Sequence, residues 1–236
     1  MSVRKFIGDG VRGVIGKKLY IRLRMGMQAE HSYLRKVRGV IHVGANEGQE
    51  RALYAAFGLN VIWIEPIPEV FQTLKHNISE FPMQRAFNYL VMGEDGKEYE
   101  FHIANNAGAS SSILDFSKHK EMWPKIAYTS TITLTGVTLS AILEAEQVDI
   151  RQFDALVLDT QGSEHKILTG AANLLANFKF VKVEVPDFES YKGCCQISEL
   201  SAFMLSKGFH EQDRAPFMQV PKLGTYFDVI YKRVRQ

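Results

Sequence analysis

The sequence predicts an α/β fold, a mostly parallel sheet with helices on both faces that ends in an antiparallel hairpin. Three observations carry that expectation. Short apolar runs at residues 40–43, 61–64, 155–158 and 180–185 have the length and composition of buried strands. The segments that follow the first three place their apolar residues at helical spacing. The chain closes with two strand-like runs, residues 208–212 and 225–232, around a proline-containing connection. With 236 residues, 46% of them hydrophobic, the chain can bury one sizeable core. One domain over residues 39–236 is therefore expected, behind a separate basic segment, 1–38.

That segment holds most of the charge imbalance. The net charge of the chain is +2, yet residues 1–38 carry a balance of +8 and the remainder −6. Val3, Phe6, Ile7, Val11, Val14, Ile15 and Leu19 recur at helical spacing, with Arg4, Lys5, Arg12, Lys17 and Lys18 mostly on other faces. Gly8, Gly10, Gly13 and Gly16 each weaken such a helix by about 1 kcal/mol, so it needs a surface to fold against. A cap on its own domain or a contact in a homo-oligomer is the expectation, with peripheral contact to an anionic membrane as the alternative.

From Gly39 onward each element can be justified in turn. Val40–Val43 is the first strand, and Ala52, Leu53, Ala55, Ala56 and Phe57 suit a buried helix that Gly58 ends. Val61–Ile64 is the second strand. Pro68 opens a helix with Val70, Phe71, Leu74 and Ile78 on one stripe, ending before Pro82. Ala86–Met92 reads as a third strand, Glu94–Lys97 as a turn and Glu98–Ile103 as a strand at a sheet edge. Residues 105–112 are too small and polar for the core, and residues 113–136 read as mixed strand and loop. Leu139–Glu146 is helical and Ala155–Leu158 is a buried strand. Ile167, Leu168, Ala171, Leu174, Leu175 and Phe178 make the apolar face of the next helix. Phe180–Pro186 is a strand, and Ile197–Leu205 a helix that Gly208 ends.

Two strand ends concentrate polar chemistry. The run Val40-Ile41-His42-Val43 stops at Gly44-Ala45-Asn46-Glu47-Gly48, a turn in which Gly44 and Gly48 allow positive φ and Asn46 tolerates it. Free N–H groups at a following helix N-terminus would let a ligand approach the backbone. Seventeen residues past Gly48 the second strand ends at Glu65-Pro66, where an acidic side chain can accept hydrogen bonds from ribose hydroxyls. Asn46 and Gln49 stand where a dinucleotide fingerprint has glycines, and no Gly-Lys-Ser or Gly-Lys-Thr follows, so NAD and Walker-type phosphate binding are disfavoured. S-adenosylmethionine is the remaining common ligand. The plainer reading is that the glycines only shape a turn and Glu65 is a solvated strand end. Ser110, Ser111 and Ser112 are placed to line a polar pocket. The second strand end is Asp159-Thr160-Gln161-Gly162-Ser163-Glu164-His165. Asp159 sits at the carboxyl edge where open α/β sheets place ligands, while Glu164 and His165 fall in the first turn of a helix, where a carboxylate can simply complement the dipole.

Together these segments resemble the FkbM family of S-adenosylmethionine-dependent methyltransferases. The similarity runs over about residues 38–187 through Val40–Gly48, Ile64–Pro68 with Leu74 and Asn77, Ser110–Ser112, Val137–Leu139, Leu158–Glu164 and Val183–Val185. His42, Val157 and Ser140 depart from the residues frequent there, which are Asp, Lys and Asp. The resemblance implies a Rossmann-like seven-stranded methyltransferase sheet. It implies that His42, Val43, Gly44, Ala45, Asn46, Gly48, Glu65, Pro66, Ser111 and Ser112 bind the cofactor. It also implies O-methylation of a hydroxyl, often that of a sugar in a bacterial glycan or a glycosylated small molecule. Asp159 is the first choice for a general base or for holding the acceptor, with Glu164 and His165 as reserves. A nucleic-acid partner is disfavoured, since Asp159-Thr160-Gln161-Gly162 replaces the Asn/Asp-Pro-Pro-aromatic motif of amino-methylating enzymes. A cofactor-binding domain without catalysis is the other rival.

No run approaches 18 consecutive apolar residues, and Met1–Lys5 leads to glycines instead of a signal core, so a soluble, cytoplasmic protein is expected. The two cysteines, Cys194 and Cys195, are adjacent, which fits neither a zinc pair nor a Cys-x-x-Cys redox site. They read as reduced thiols, and no metal ligand is assigned.

Overall fold

A computed structural model describes residues 29–234. The amphipathic pattern of residues 3–19 lies outside the described residues. The main sheet has seven strands, β1 (Gly39–Val43), β2 (Asn60–Ile64), β3 (Gln84–Phe87), β7 (Ala155–Leu158), β8 (Phe180–Pro186), β9 (Phe209–Val220) and β10 (Gly224–Arg233), in the order β3-β2-β1-β7-β8-β10-β9. Strands β3 to β8 in that order are parallel, and β10 runs antiparallel to both β8 and β9. All five residues of β1 are buried, which is why it reads as a continuous apolar run: a central parallel strand is covered on both faces.

One face packs Ile41, Ile62, Leu156 and Val181 against the helices α4 (Leu139–Ala145), α5 (Glu164–Gly170) and α6 (Ile197–Ser206). The other packs Val40, Val61, Trp63 and Val157 against α1 (Arg51–Phe57) and α2 (Pro68–Ile78). Tyr33, Leu34 and Val37, from the 3₁₀ turn Ala29–Lys36 and just beyond it, belong to this second core. Arg38 is tied to buried Asp154 through its backbone N–H, Nε and Nη2 at 2.7–2.9 Å. A division at residue 38 therefore cuts through the packed unit, because apolar burial extends at least to Tyr33.

A second, three-stranded sheet, β4 (Leu90–Val91), β6 (Tyr128–Val137) and β5 (Glu98–Ala104) in that order, stands beside the ligand edge. Its strand β6 takes up the last part of residues 113–136, and the only helix in that stretch is α3 (His119–Met122). The single strand expected over 86–92 is divided. After β3 the chain turns at Asn88, whose Nδ2 donates to the carbonyls of Glu65 and Pro66, and continues as β4 in the other sheet.

Two further expectations change. The helix after Asp159 stops at Gly170, where a Cβ would lie 2.5 Å from Gly93 Cα, and the chain goes on through a turn and a 3₁₀ segment, Leu175–Asn177. Ala171, Leu175 and Phe178 remain buried, since turns and 3₁₀ segments space residues by three, close to the helical period. The C-terminal hairpin is longer than expected, and Pro216 lies inside β9. An edge strand tolerates a proline because its outward N–H has no ladder partner, and a register shift falls beside it, at Tyr226/Phe227 of β10.

Candidate active site

The order of the main sheet reverses between β1 and β7, and a cavity of about 320 Å³ opens at their carboxyl ends. This is where open α/β sheets bind ligands, because the loops leaving neighbouring strands diverge there. Gly44, with φ +79°, turns the chain out of β1 so tightly that a Cβ would lie 1.8 Å from the Asp159 carbonyl oxygen. Gly44→Ala is therefore expected to cost about 1–3 kcal/mol, read as a lower midpoint in urea. Gly58→Ala is its control, because Gly58 shares the positive φ but has open space where a Cβ would go. Equal losses in the two variants would show that the approach to Asp159 does not matter.

The N–H groups of the turn are not free, contrary to the sequence-based expectation. Those of Gly44 and Ala45 donate to the Ile64 carbonyl at 3.0 and 3.1 Å, that of Gly48 donates to Ala45, and α1 starts only at Arg51. Asn46, φ +43°, donates its N–H to Glu65 Oε2 at 2.8 Å, and Ile67 N–H donates to Oε1 at 2.9 Å. Glu65 thus joins the two loops and keeps lone pairs toward the cavity. Burial pushes its pKa up to about 7, against the pull of the two N–H groups.

Asp159 faces the same cavity from the end of β7, with Gln161 Nε2 donating to its Oδ1 at 2.7 Å. Burial raises its pKa to about 7, Gln161 opposes that shift, and Glu164 adds to it. Glu184, on β8, is shifted up as well, by burial and by Asp159. His42 lies deeper, stacked on Trp63 with centroids 5.0 Å apart and Nδ1 3.2 Å from Tyr54 OH. Burial lowers its pKa to about 4, so the ring is neutral.

The cavity is lined by His42, Val43, Gly44, Ala45, Asn46, Glu65, Pro66, Ser111 and Asp159 among the residues singled out from sequence. Gly48, Ser110, Ser112, Glu164 and His165 do not line it, and Ser110 is bound instead to the Asn106 side chain. Gly48 packs against α2, a Cβ there lying 2.7 Å from Leu74. Ser112, fully buried, holds the Gln161 carbonyl by its Oγ at 2.7 Å. Glu164 is consumed by its own loop, accepting from Thr160 N–H and Oγ1 and from Gly162 N–H at 2.8–3.1 Å. His165 packs against Phe203 in a T-shaped contact, ring centroids 5.0 Å apart. These placements move Glu164 and His165 out of the reserve catalytic set.

Sequence reasoning passed over the apolar wall formed by Ile67, Leu90, Val91, Phe101 and Ile113, and also Tyr89, Gly108, Thr160 and Gln161. Leu90, Val91 and Phe101 arrive with the second sheet, which no local pattern attaches to this edge. Gln161 did carry a signal, a polar residue between a strand end and a glycine, without an assigned role.

The chemistry of the lining sorts ligands. Glu50, Glu65 and Asp159 reach the cavity, and among the described residues no Lys or Arg lines it. A pyrophosphate would meet carboxylates with no compensating cation, whereas a cationic sulfonium is favoured there. A diol suits the remaining acceptor sites of Glu65, and a purine suits the apolar wall. The residues present therefore fit S-adenosylmethionine.

Comparison with known families agrees. The model described as the methyltransferase FkbM domain matches residues 42–211. The chain belongs to the FkbM methyltransferase family. It is accordingly an S-adenosylmethionine-dependent methyltransferase. No curated protein matches the sequence. Among solved structures, an uncharacterized protein from Listeria monocytogenes is similar, at 8% identity, over 89% of this chain and 69% of that one, with a TM-score of 0.50. The 1,6-didemethyltoxoflavin-N1-methyltransferase of Burkholderia thailandensis, solved with S-adenosylhomocysteine, is 12% identical over 100% of this chain and 92% of that one, TM-score 0.48. The magnesium protoporphyrin IX methyltransferase of Synechocystis, solved with S-adenosylmethionine, is 10% identical over 99% and 98%, TM-score 0.45. At such identities the likeness is one of fold. Among the described residues of this FkbM-family chain, no helix is long and apolar enough to cross a membrane.

Proposed function

We propose that this FkbM-family enzyme methylates a hydroxyl oxygen, that of a sugar in a bacterial glycan or a glycosylated small molecule, with S-adenosylmethionine seated in the β1/β7 cavity. The observation that carries the reading is the acidic lining, without a Lys or Arg among the described residues, with Glu65 and Asp159 on opposite sides of the β1 turn. The cofactor supplies an electrophilic methyl on a sulfonium. Glu65 binds and orients through its free lone pairs, and Gly44 keeps the backbone close. Asp159 would accept the hydroxyl proton as the acceptor oxygen takes the methyl from sulfur, whose C–S bond breaks to leave the neutral thioether S-adenosylhomocysteine, and a pKa near 7 suits a base working at neutral pH. Much of the rate then comes from holding the acceptor in line. Asn46, Gln49, Ser111 and Thr160, neutral and polar around the cavity, suit the hydroxyls of a sugar better than a phosphate backbone. We place the enzyme in the cytoplasm, a reading supported by the free thiols of Cys194 and Cys195.

The test is transfer of a labelled methyl group to a panel of free sugars, nucleotide sugars, glycolipids and RNA, with base-labile and base-stable products separated. Label in a sugar ether is the expected outcome. Label in RNA alone, or none in any arm despite tight cofactor binding, would replace the reading by one of its two rivals.

A further inference from the structure

The loop between β7 and α5 contains an arrangement that the proposed reaction leaves unused. Gln161 has a left-handed backbone, φ +54°, which a non-glycine residue keeps only when its surroundings enforce it. Four contacts hold the residue, one at its backbone carbonyl and three at its amide. Ser112 Oγ donates to its carbonyl at 2.7 Å, and Tyr191 OH donates to Oε1 at 2.7 Å. On the far side of the amide, Nε2 donates to Asp159 Oδ1 at 2.7 Å and lies 3.4 Å from Glu184 Oε1. The reversed amide would set Oε1 against carboxylate oxygens, two acceptors in contact. Tyr191 is itself buried, 1% exposed, and the other acceptor near its hydroxyl, the Ser110 carbonyl, lies farther off at 3.4 Å.

We propose that Gln161 is the positioning residue of the proton-accepting carboxylate: it fixes the orientation of Asp159 toward the cavity and favours its ionised form, with Tyr191 and Ser112 locking the amide. The inference rests on Asp159 acting as the base. Asp159 stands among acidic groups, Glu184 from β8, Asp228 from β10, Glu164 from α5 and Glu65 just after β2, with Lys182 of β8 as the opposing cation and uncharged Gly44 just after β1. Left alone among these charges, it would hold its proton. An N–H aimed at the carboxylate lowers its proton affinity. A neutral amide does this without placing a positive charge beside a sulfonium, which an Arg or Lys at the same position would repel.

Carbon-13 NMR of enzyme labelled at aspartate Cγ tests this without any acceptor, the Asp159 resonance being identified by its loss in Asp159→Asn. Gln161→Ala is expected to raise the Asp159 titration midpoint by about one pH unit. Tyr191→Phe is expected to move it the same way by less, because the amide stays but loses its lock. If Gln161→Ala does not fold, Tyr191→Phe decides alone. A midpoint unchanged or lowered in the folded variants overturns the positioning role and leaves the methyl-transfer reading standing. Full methylation by Asp159→Asn would instead remove the base and leave the titration result intact.

Discussion

Asp159→Asn is expected to lower turnover by about 10²–10⁴-fold while S-adenosylhomocysteine binds nearly as in the parent enzyme. The substitution keeps shape and removes the group that accepts the hydroxyl proton, and Glu164, bound to its own loop by Thr160 and Gly162, is not available to replace it. In the parent enzyme the rate should depend on pH with a definite sign. The base works unprotonated, so kcat/KM for the cofactor should climb with pH and level off above about 7, the value to which burial raises Asp159. Stability should run the other way. Because the folded pKa lies above the ordinary 3.8, this group's contribution to stability is fully present below 3.8 and is lost as pH rises toward about 7. At pH 8 the Asn variant should therefore melt higher than the parent while turning over far more slowly. A variant that melts lower and methylates normally per folded molecule would make Asp159 a structural residue, and weaker cofactor binding would make it a binding one.

Glu65→Ala is expected to weaken S-adenosylhomocysteine by about 1–3 kcal/mol, about 5- to 150-fold in Kd. Part of that loss would come from the loops, since Asn46 and Ile67 lose their acceptor. A double-mutant cycle separates the two contributions. Calorimetry compares the ligand with its 2′,3′-dideoxy analogue on both proteins. If the carboxylate holds the ribose diol, the penalty of the substitution shrinks sharply for the analogue. An equal penalty for both ligands would confine Glu65 to bracing the turn.

Legibility in the sequence followed the range of the interactions involved. The apolar runs of β1, β2, β7 and β8 fall where expected because a strand buried on both faces must be apolar along its length. The strand expected over 86–92 was misread because the apolar end of β3, Ala86 and Phe87, is followed closely by apolar β4, while the Asn88 break between them depends on carbonyls at Glu65 and Pro66. Gly170 ended α5 early through its contact with Gly93, far away in sequence. Pro216 was taken for a connection, since only the sheet order shows that β9 lies at an edge.

The site divides along the same line. From sequence alone came the α/β alternation, the tight turn at Gly44, and carboxylates at the ends of two parallel strands, Glu65 and Asp159. These are local facts: where an apolar period stops, and which residue stands there. Tertiary structure decided which carboxylates remain available and what closes the cavity over them. Asp159 and Glu164 are five residues apart, at the two ends of the loop between β7 and α5, and look alike as sequence, yet one opens to the cavity and the other is saturated by neighbouring N–H groups. Ser112 and Tyr191 meet at Gln161 from 49 and 30 residues away. Spacing along a chain encodes which face a residue occupies, whereas hydrogen-bond partners and burial depend on how distant segments are brought together, and only the folded chain settles those.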